Sequence, residues 1–223
     1  MRRIIGATFV SLDGVMQAPG GTTEDWTGGF TRGGWLPAMW DETVDTAMEA
    51  LFRDPFDLLL GRRTYDIFAA YWPYAEGDNK PMGDLFDRVG KYVVTRGDAP
   101  LEWRNSHRVG SIDALAALKQ GDGPDLVIQG SSTLYPQLLR AGLIDRMTLM
   151  MFPLVLGSGK RLFGDGTPAR AMTMVEQRVS PGGNIVATYE PDGDVKLGTF
   201  GTAPPNARER ERQAAMAAEE TDQ

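Results

Sequence analysis

The chain has no cysteine and one histidine, His107. Disulfides, thiolate catalysis and cysteine-ligated zinc are excluded, and a single imidazole is available to a metal, so no metal site is expected. No apolar run reaches the roughly eighteen residues that would cross a bilayer. The start, "MRRIIGATFV", passes into strand-like sequence without a small-residue cleavage site. Together these absences predict a cytoplasmic protein with no membrane partner. The formal net charge of −7 disfavours broad binding to polyanions, so nucleic acid is not an expected partner and the arginines must act in local clusters. What is present is 223 residues, 42% hydrophobic and 24% charged, enough for one sizeable core.

"RRIIGATFVSLDG" reads as a first strand running into an Asp13-Gly14 turn. "MQAPGGTTEDWTGGFTRGGW" follows, with six glycines and the aromatics Trp26, Phe30 and Trp35. That is too glycine-rich for regular structure, and the segment from Gly20 to Trp35 is expected to be a binding loop or a lid. A helix is predicted from about Pro37 to Phe52, with Trp40, Val44, Ala47 and Leu51 on its core face. "FDLLLG", "KYVVTR", "PDLVIQG" and "IDRMTLMMFPLVLG" read as strands; "RRTYDIFAAYW", "SIDALAALKQ" and "SSTLYPQLLRAGL" read as helices between them. "AMTMVEQRVS" and "GGNIVATYEP" form an antiparallel hairpin around Pro181-Gly182-Gly183. The alternation predicts an α/β domain over 1–194, with a mostly parallel central sheet flanked by helices. Residues 195–223 are polar and are expected to form a mobile or weakly helical tail.

In such a sheet, ligands collect at the carboxyl ends of strands, where helix N-termini present unpaired N–H groups. Three predicted junctions share one chemistry. Gly61-Arg62-Arg63-Thr64 joins a close-approach glycine to fixed charge and a hydroxyl. Thr95-Arg96 pairs a hydroxyl with a guanidinium at the next strand end, and Gly130-Ser131-Ser132-Thr133 is a small-residue turn opening a helix. Thr95 follows Gly61 by 34 residues and Gly130 follows Thr95 by 35, one crossover each, so the three are expected on one sheet edge. Each motif alone also reads as surface; their repetition at one topological place points to a nucleotide or dinucleotide. Arginine near a strand end, with nothing acidic beside it, suits a 2′-phosphate better than free ribose hydroxyls. Other signals carry less. "LGSGKRLF" lacks the P-loop pattern, since position 154 is Leu and 161 is Arg. His107 reads as a surface residue, and Met147, Met150 and Met151 as core filling.

In order and spacing, "SLDGVM", "LLLGRRTYD", "KYVVTR", "VIQGSSTLY" and "DRMTLMMFPLVLGSGKRLF" resemble the dihydrofolate reductase superfamily over residues 1–191. The likeness is to the branch containing the reductase domain of bacterial riboflavin biosynthesis. It implies NADPH as cofactor, with Gly61, Arg62, Arg63 and Thr64 on its phosphates. Thr95 and Arg96 would take the 2′-phosphate, and Gly130 to Thr133 the pyrophosphate. It further implies that the nicotinamide packs near Thr8, Phe9, Asp13 and Gly14, with Met16 and Gln17 close by. An acidic residue on the helix after the glycine-rich loop is expected to serve the chemistry, Asp45 before Asp41. The glycine-rich insertion and the "LVLGSGKRLF" element depart from true dihydrofolate reductases, which makes folate an unexpected substrate. The implied function is NADPH-dependent reduction of a small heterocycle, like 5-amino-6-(5-phosphoribosylamino)uracil reductase, by a homodimer. The alternative is a non-catalytic NADP-type binding protein of the same fold.

Overall fold

The computed structural model describes residues 1–201 and 204–221. Eight strands form one sheet: β1 (Ile4–Ser11), β2 (Phe56–Gly61), β3 (Lys91–Val94), β4 (Ser106–Val109), β5 (Asp125–Gln129), β6 (Arg146–Phe152), β7 (Met172–Val179) and β8 (Ile185–Pro191). The helices are α1 (Glu42–Leu51), α2 (Arg62–Tyr71), α3 (Lys80–Arg88), α4 (Ile112–Gln120), α5 (Tyr135–Arg140) and α6 (Ala207–Thr221). Spatial order is β4-β3-β2-β5-β1-β6-β8-β7. The first six strands in that order run parallel, and β8 is antiparallel to both β6 and β7.

The leucine run of β2 shows how the sheet is covered. Leu59 packs with Ile4, Leu126, Ile128, Leu115 and Leu138 under α4 and α5. Leu58 and Leu60 point the other way, to Tyr65 of α2 and Phe86 of α3. A strand covered on both faces needs apolar residues at every position, which is why "LLL" does not alternate. Farther along the sheet, Ala7, Met150 and Phe152 pack against Val44 of α1.

Several boundaries differ from the sequence expectation. The helix expected from Pro37 begins at Glu42, after a single 3-10 turn over Pro37–Met39. Asp41 sets that start: its backbone is extended and its side chain accepts the N–H groups of Thr43 and Val44. The helix expected from Ser131 starts at Tyr135, because Ser131 sits at φ +60° and the chain turns before coiling. β6 stops at Phe152, and Pro153 follows. Two elements were not expected. α3 carries Pro81 in its first turn, and the apolar residues Met82, Leu85, Phe86 and Val89 recur at three- and four-residue steps, a helical signal that the sequence expectation passed over; β4 is a short edge strand with His107 and Arg108 exposed, so it shows no periodic apolar signal. The β7–β8 hairpin forms where expected, with Gly183 at φ +86° in its turn. In the polar tail, residues 207–221 are helical and the side chains of 207–219 are mostly exposed; residues 202–203 and 222–223 of that tail lie outside the described residues.

Candidate functional site

The strand order sets β3, β2 and β5 side by side, so the junctions that follow them share the carboxyl edge of the sheet. Gly61 caps α2 without any side chain, leaving the first-turn N–H groups of that helix for a ligand. The Gly61 N–H donates to Ser131 Oγ at 2.9 Å, and the Ser131 N–H donates to Thr64 Oγ1 at 3.0 Å. Two helix starts are thereby tied across the β2–β5 boundary. Gly130 is required at this crossing, because its φ is +65° and an added Cβ would lie 3.1 Å from Thr64 Cγ2. Ser132 is half-buried and Thr133 is exposed. Thr64 therefore has a structural duty beside any ligand contact.

The three arginines differ in how freely they can meet an anion. Arg62 is committed: Nε donates to both oxygens of Asp66 at 2.9 and 3.1 Å, and Nη1 to the Ala99 carbonyl at 2.8 Å. Its hydrogen bond to Asp66 raises its pKa further. Arg63 is exposed and comes within 3.8 Å of Asp25. Arg96 is exposed and has no hydrogen-bond or ion-pair partner among the described residues. Beside it, the Thr95 N–H donates to the Val109 carbonyl and its hydroxyl accepts the Gly97 N–H at 3.2 Å.

On β1, Thr8 is buried and Phe9 half-buried, its ring 5.6 Å from that of Trp40 and 6.1 Å from that of Phe152. Asp13 clips the loop after β6. Its Oδ1 accepts Ser11 Oγ at 2.6 Å and the Leu156 N–H at 3.1 Å, while Oδ2 accepts the Gly157 N–H at 2.9 Å. The Ser11 hydroxyl, with those two amides, pulls this carboxyl down to about 2 against the opposing effect of burial. Gly14, at φ +78°, carries the turn, and its carbonyl accepts the Leu162 N–H.

Asp41 and Asp45 occupy different settings. Asp41 caps α1 through Oδ1, and Oδ2 accepts Asn184 Nδ2 at 2.7 Å. Burial works to raise its pKa, but hydrogen bonds from Ser180, Val44, Asn184 and Thr43 outweigh burial and hold it below the ordinary value. Asp45 is exposed and accepts Trp40 Nε1 at 2.6 Å through Oδ1. A cavity of about 720 Å³, lined by Met39, Trp40, Asp41, Thr43, Arg178 and Gly182, opens between the start of α1 and the β7–β8 turn.

The glycine-rich segment is partly core. Phe30 and Trp35 are buried, and Trp35 Nε1 donates to the Gln17 carbonyl at 2.9 Å, whereas Trp26 is 65% exposed. Met16 and Gln17 are buried as well. Lys160 and Asp25, to which the sequence assigns no role, form an ion pair at 2.5 Å. No local signal joins residues 135 positions apart.

A doubly covered, mostly parallel sheet with anion-ready junctions at one edge defines a dihydrofolate reductase-like α/β protein. The chain belongs to the RibD C-terminal domain family, whose model matches residues 2–186. It is 27% identical over 195 residues to the uncharacterized protein YyaP of Bacillus subtilis (strain 168), covering 86% of this chain and 96% of that one. Its fold is similar to that of a candidate riboflavin biosynthesis protein from Shewanella sp. PV-4, with TM-score 0.61 and 20% identity over 85% of this chain and 99% of the other. It is similar also to dihydrofolate reductase from Enterococcus faecalis, solved with NADP(H), with TM-score 0.52 and 16% identity over 85% and 96%. The family is one of NAD(P)H-dependent reductases.

Proposed function

We propose that this protein is an NADPH-dependent reductase of a small heterocyclic substrate, similar to dihydrofolate reductase and to 5-amino-6-(5-phosphoribosylamino)uracil reductase. The observation that carries this reading is the alignment of three junctions on adjacent strand ends, with Arg96 exposed at one of them and without a partner among the described residues. The residues fit the dinucleotide: α2 presents its first-turn amides, and Arg63 and Arg96 supply charge. NADPH, when bound, supplies the hydride. Thr8, Phe9 and the Asp13-Gly14 turn then form the wall for its nicotinamide, and Asp45, whose Oδ2 has no partner among the described residues, supplies the proton route. Asp41 orients α1 as its cap.

The test is a fluorescence titration of wild type and Arg96→Ala with NADPH and NADH, followed by NADPH oxidation assays on pteridine and ribosylaminopyrimidine substrates. Charge-assisted hydrogen bonds of about 1.5–3 kcal/mol predict that Arg96→Ala weakens NADPH about ten- to a hundredfold and leaves NADH nearly unchanged. Equal losses for both cofactors contradict the 2′-phosphate assignment. A second reading, a binding protein without turnover, is favoured by one fact: Asp41 and Asp45 are each engaged in hydrogen bonds. Saturable NADPH binding with no oxidation on any substrate of these classes selects it.

We also propose a homodimer. β7 is an edge strand that leaves Met174, Val175 and Val179 about half or more exposed (48%, 48% and 63%), an apolar edge that a second copy would cover. A light-scattering mass near 24.4 kDa at micromolar concentration rejects the dimer.

A further inference from the structure

The glycine-rich segment carries one acidic side chain that is almost fully buried. The Asp25 side chain is 8% exposed, and its carboxylate joins three separate pieces of chain. Oδ2 accepts Lys160 Nζ at 2.5 Å, from the loop after β6. Oδ1 accepts the Thr27 N–H at 3.1 Å and the Thr27 hydroxyl at 2.6 Å, and Lys160 Nζ also donates to that hydroxyl at 2.8 Å. Gln17 completes the join: Nε2 donates to the carbonyls of Asp25 and Thr27, and Oε1 accepts the Lys160 N–H at 2.9 Å. Burial works to raise the Asp25 carboxyl, but Lys160 and Thr27 outweigh it and keep it ionised at neutral pH.

The third piece is the start of α2. Arg63 Nη1 lies 3.8 Å from Asp25 Oδ1, too far for a hydrogen bond, and its side chain is 61% exposed. Its guanidinium feels the buried charge without spending a donor on it. A lone arginine would lose much of its rotamer freedom on meeting an anion, and a side chain already drawn to one direction loses less. One carboxylate between two cations leaves a net positive charge, so the group still attracts phosphate.

We propose that Asp25 is a positioning residue: it fixes the glycine-rich segment as a wall beside α2 and aims Arg63 at the pyrophosphate of a dinucleotide. The proposal rests on the reductase reading above and deepens it. Arg63 follows the Gly61 cap, next to the Ser131–Thr64 tie, whereas Arg96 stands one strand away after β3. The pyrophosphate is common to NADPH and NADH, so the Asp25 effect falls on both cofactors, unlike that of Arg96.

The experiment is a double-mutant cycle read as Kd for NADPH and for NADH in wild type, Asp25→Asn, Arg63→Gln and the double variant. Asp25→Asn is expected to weaken both cofactors about tenfold, and the same change on the Arg63→Gln background to cost less than twofold. Hydrogen exchange over residues 17–35 should speed up in Asp25→Asn without any ligand. Equal costs in the two backgrounds, or no cost, overturn the proposal while leaving the reductase reading intact. Absence of saturable binding of either cofactor to wild type overturns both. Should Asp25→Asn not fold, Arg63→Gln decides alone: it keeps the Asp25–Lys160 pair, and unchanged affinity for both cofactors rejects the assignment.

Discussion

Ser131 stands at φ +60° with its amide hydrogen-bonded to the Thr64 hydroxyl at 3.0 Å, so a strained residue is held by the helix that follows the neighbouring strand. Its own hydroxyl accepts the buried Gly61 N–H. Ser131→Ala keeps the unfavourable φ and orphans that N–H, so a loss of about 1–3 kcal/mol is expected. Ser131→Gly relieves the backbone and should lose less. Urea midpoints of the two variants check this, and a Ser131→Ala midpoint equal to wild type counts against the tie.

Asp13 gives the protein an acid sensitivity. Its folded pKa is about 2, below the ordinary 3.8, so its contribution is present above pH 4 and is lost as pH falls toward 2. The shift corresponds to about 2 kcal/mol at most. Asp13→Asn should be less stable than wild type at pH 7, with the gap closing by pH 2. A gap that is constant with pH, measured by denaturant unfolding, contradicts this.

Lys91 acts in the opposite range. It is fully buried, with Nζ donating to the carbonyls of Asp87 and Val89 and lying 4.3 Å from the Trp103 ring centroid. Burial lowers its pKa to about 8 from 10.5. Between those values the unfolded chain binds more protons than the folded one, so this residue makes stability rise with pH, by up to about 3 kcal/mol. The difference between wild type and Lys91→Met, followed from pH 7 to 10.5, should show that rise; a flat difference rejects it.

Removal of the polar tail should leave the body intact. α6 carries Arg208, Arg210 and Arg212 toward its amino end, against its own dipole, and its described side chains are almost all exposed. A chain ending at Asp194 keeps the Arg170–Asp194 ion pair and is expected to melt within a few degrees of the full chain. Aggregation or a much lower melting temperature shows that the tail docks.

The parts that could be read from sequence are those whose signal is local. "LLLG" followed by arginines marks a buried strand giving way to a helix start, and the regular spacing of Gly61, Thr95 and Gly130 anticipates their shared edge. Asp41 has no local signature, because a carboxylate at a helix start serves equally as cap or as acid, and its bonds to Asn184 and Ser180 of the β7–β8 turn show how fully it is engaged. α3 does carry a helical stripe, Met82, Leu85, Phe86 and Val89, but the helix spans only nine residues with Pro81 in its first turn, whereas β4 lacks periodicity because His107 and Arg108 are exposed. The Asp25–Lys160 pair depends on two loops meeting, and the Arg62–Ala99 contact on a third.

The place of β1 in the sheet also bears on how the chain is made. Its ladders run Ile4 to Leu126 on one side and Ile5 to Arg146 on the other, and Asp145 receives the Ile4 N–H. At about 5–20 residues per second, synthesis needs on the order of 7–30 s after β1 emerges before β6 can join it. Before β5 emerges, "IIGATFVS" is an apolar strand with neither neighbour, flanked by the charges of Arg2 and Arg3. Arg2 becomes buried against Asp57 and Arg3 pairs with Asp125, so the two cations that flank the strand in sequence fasten the sheet's amino edge in the fold.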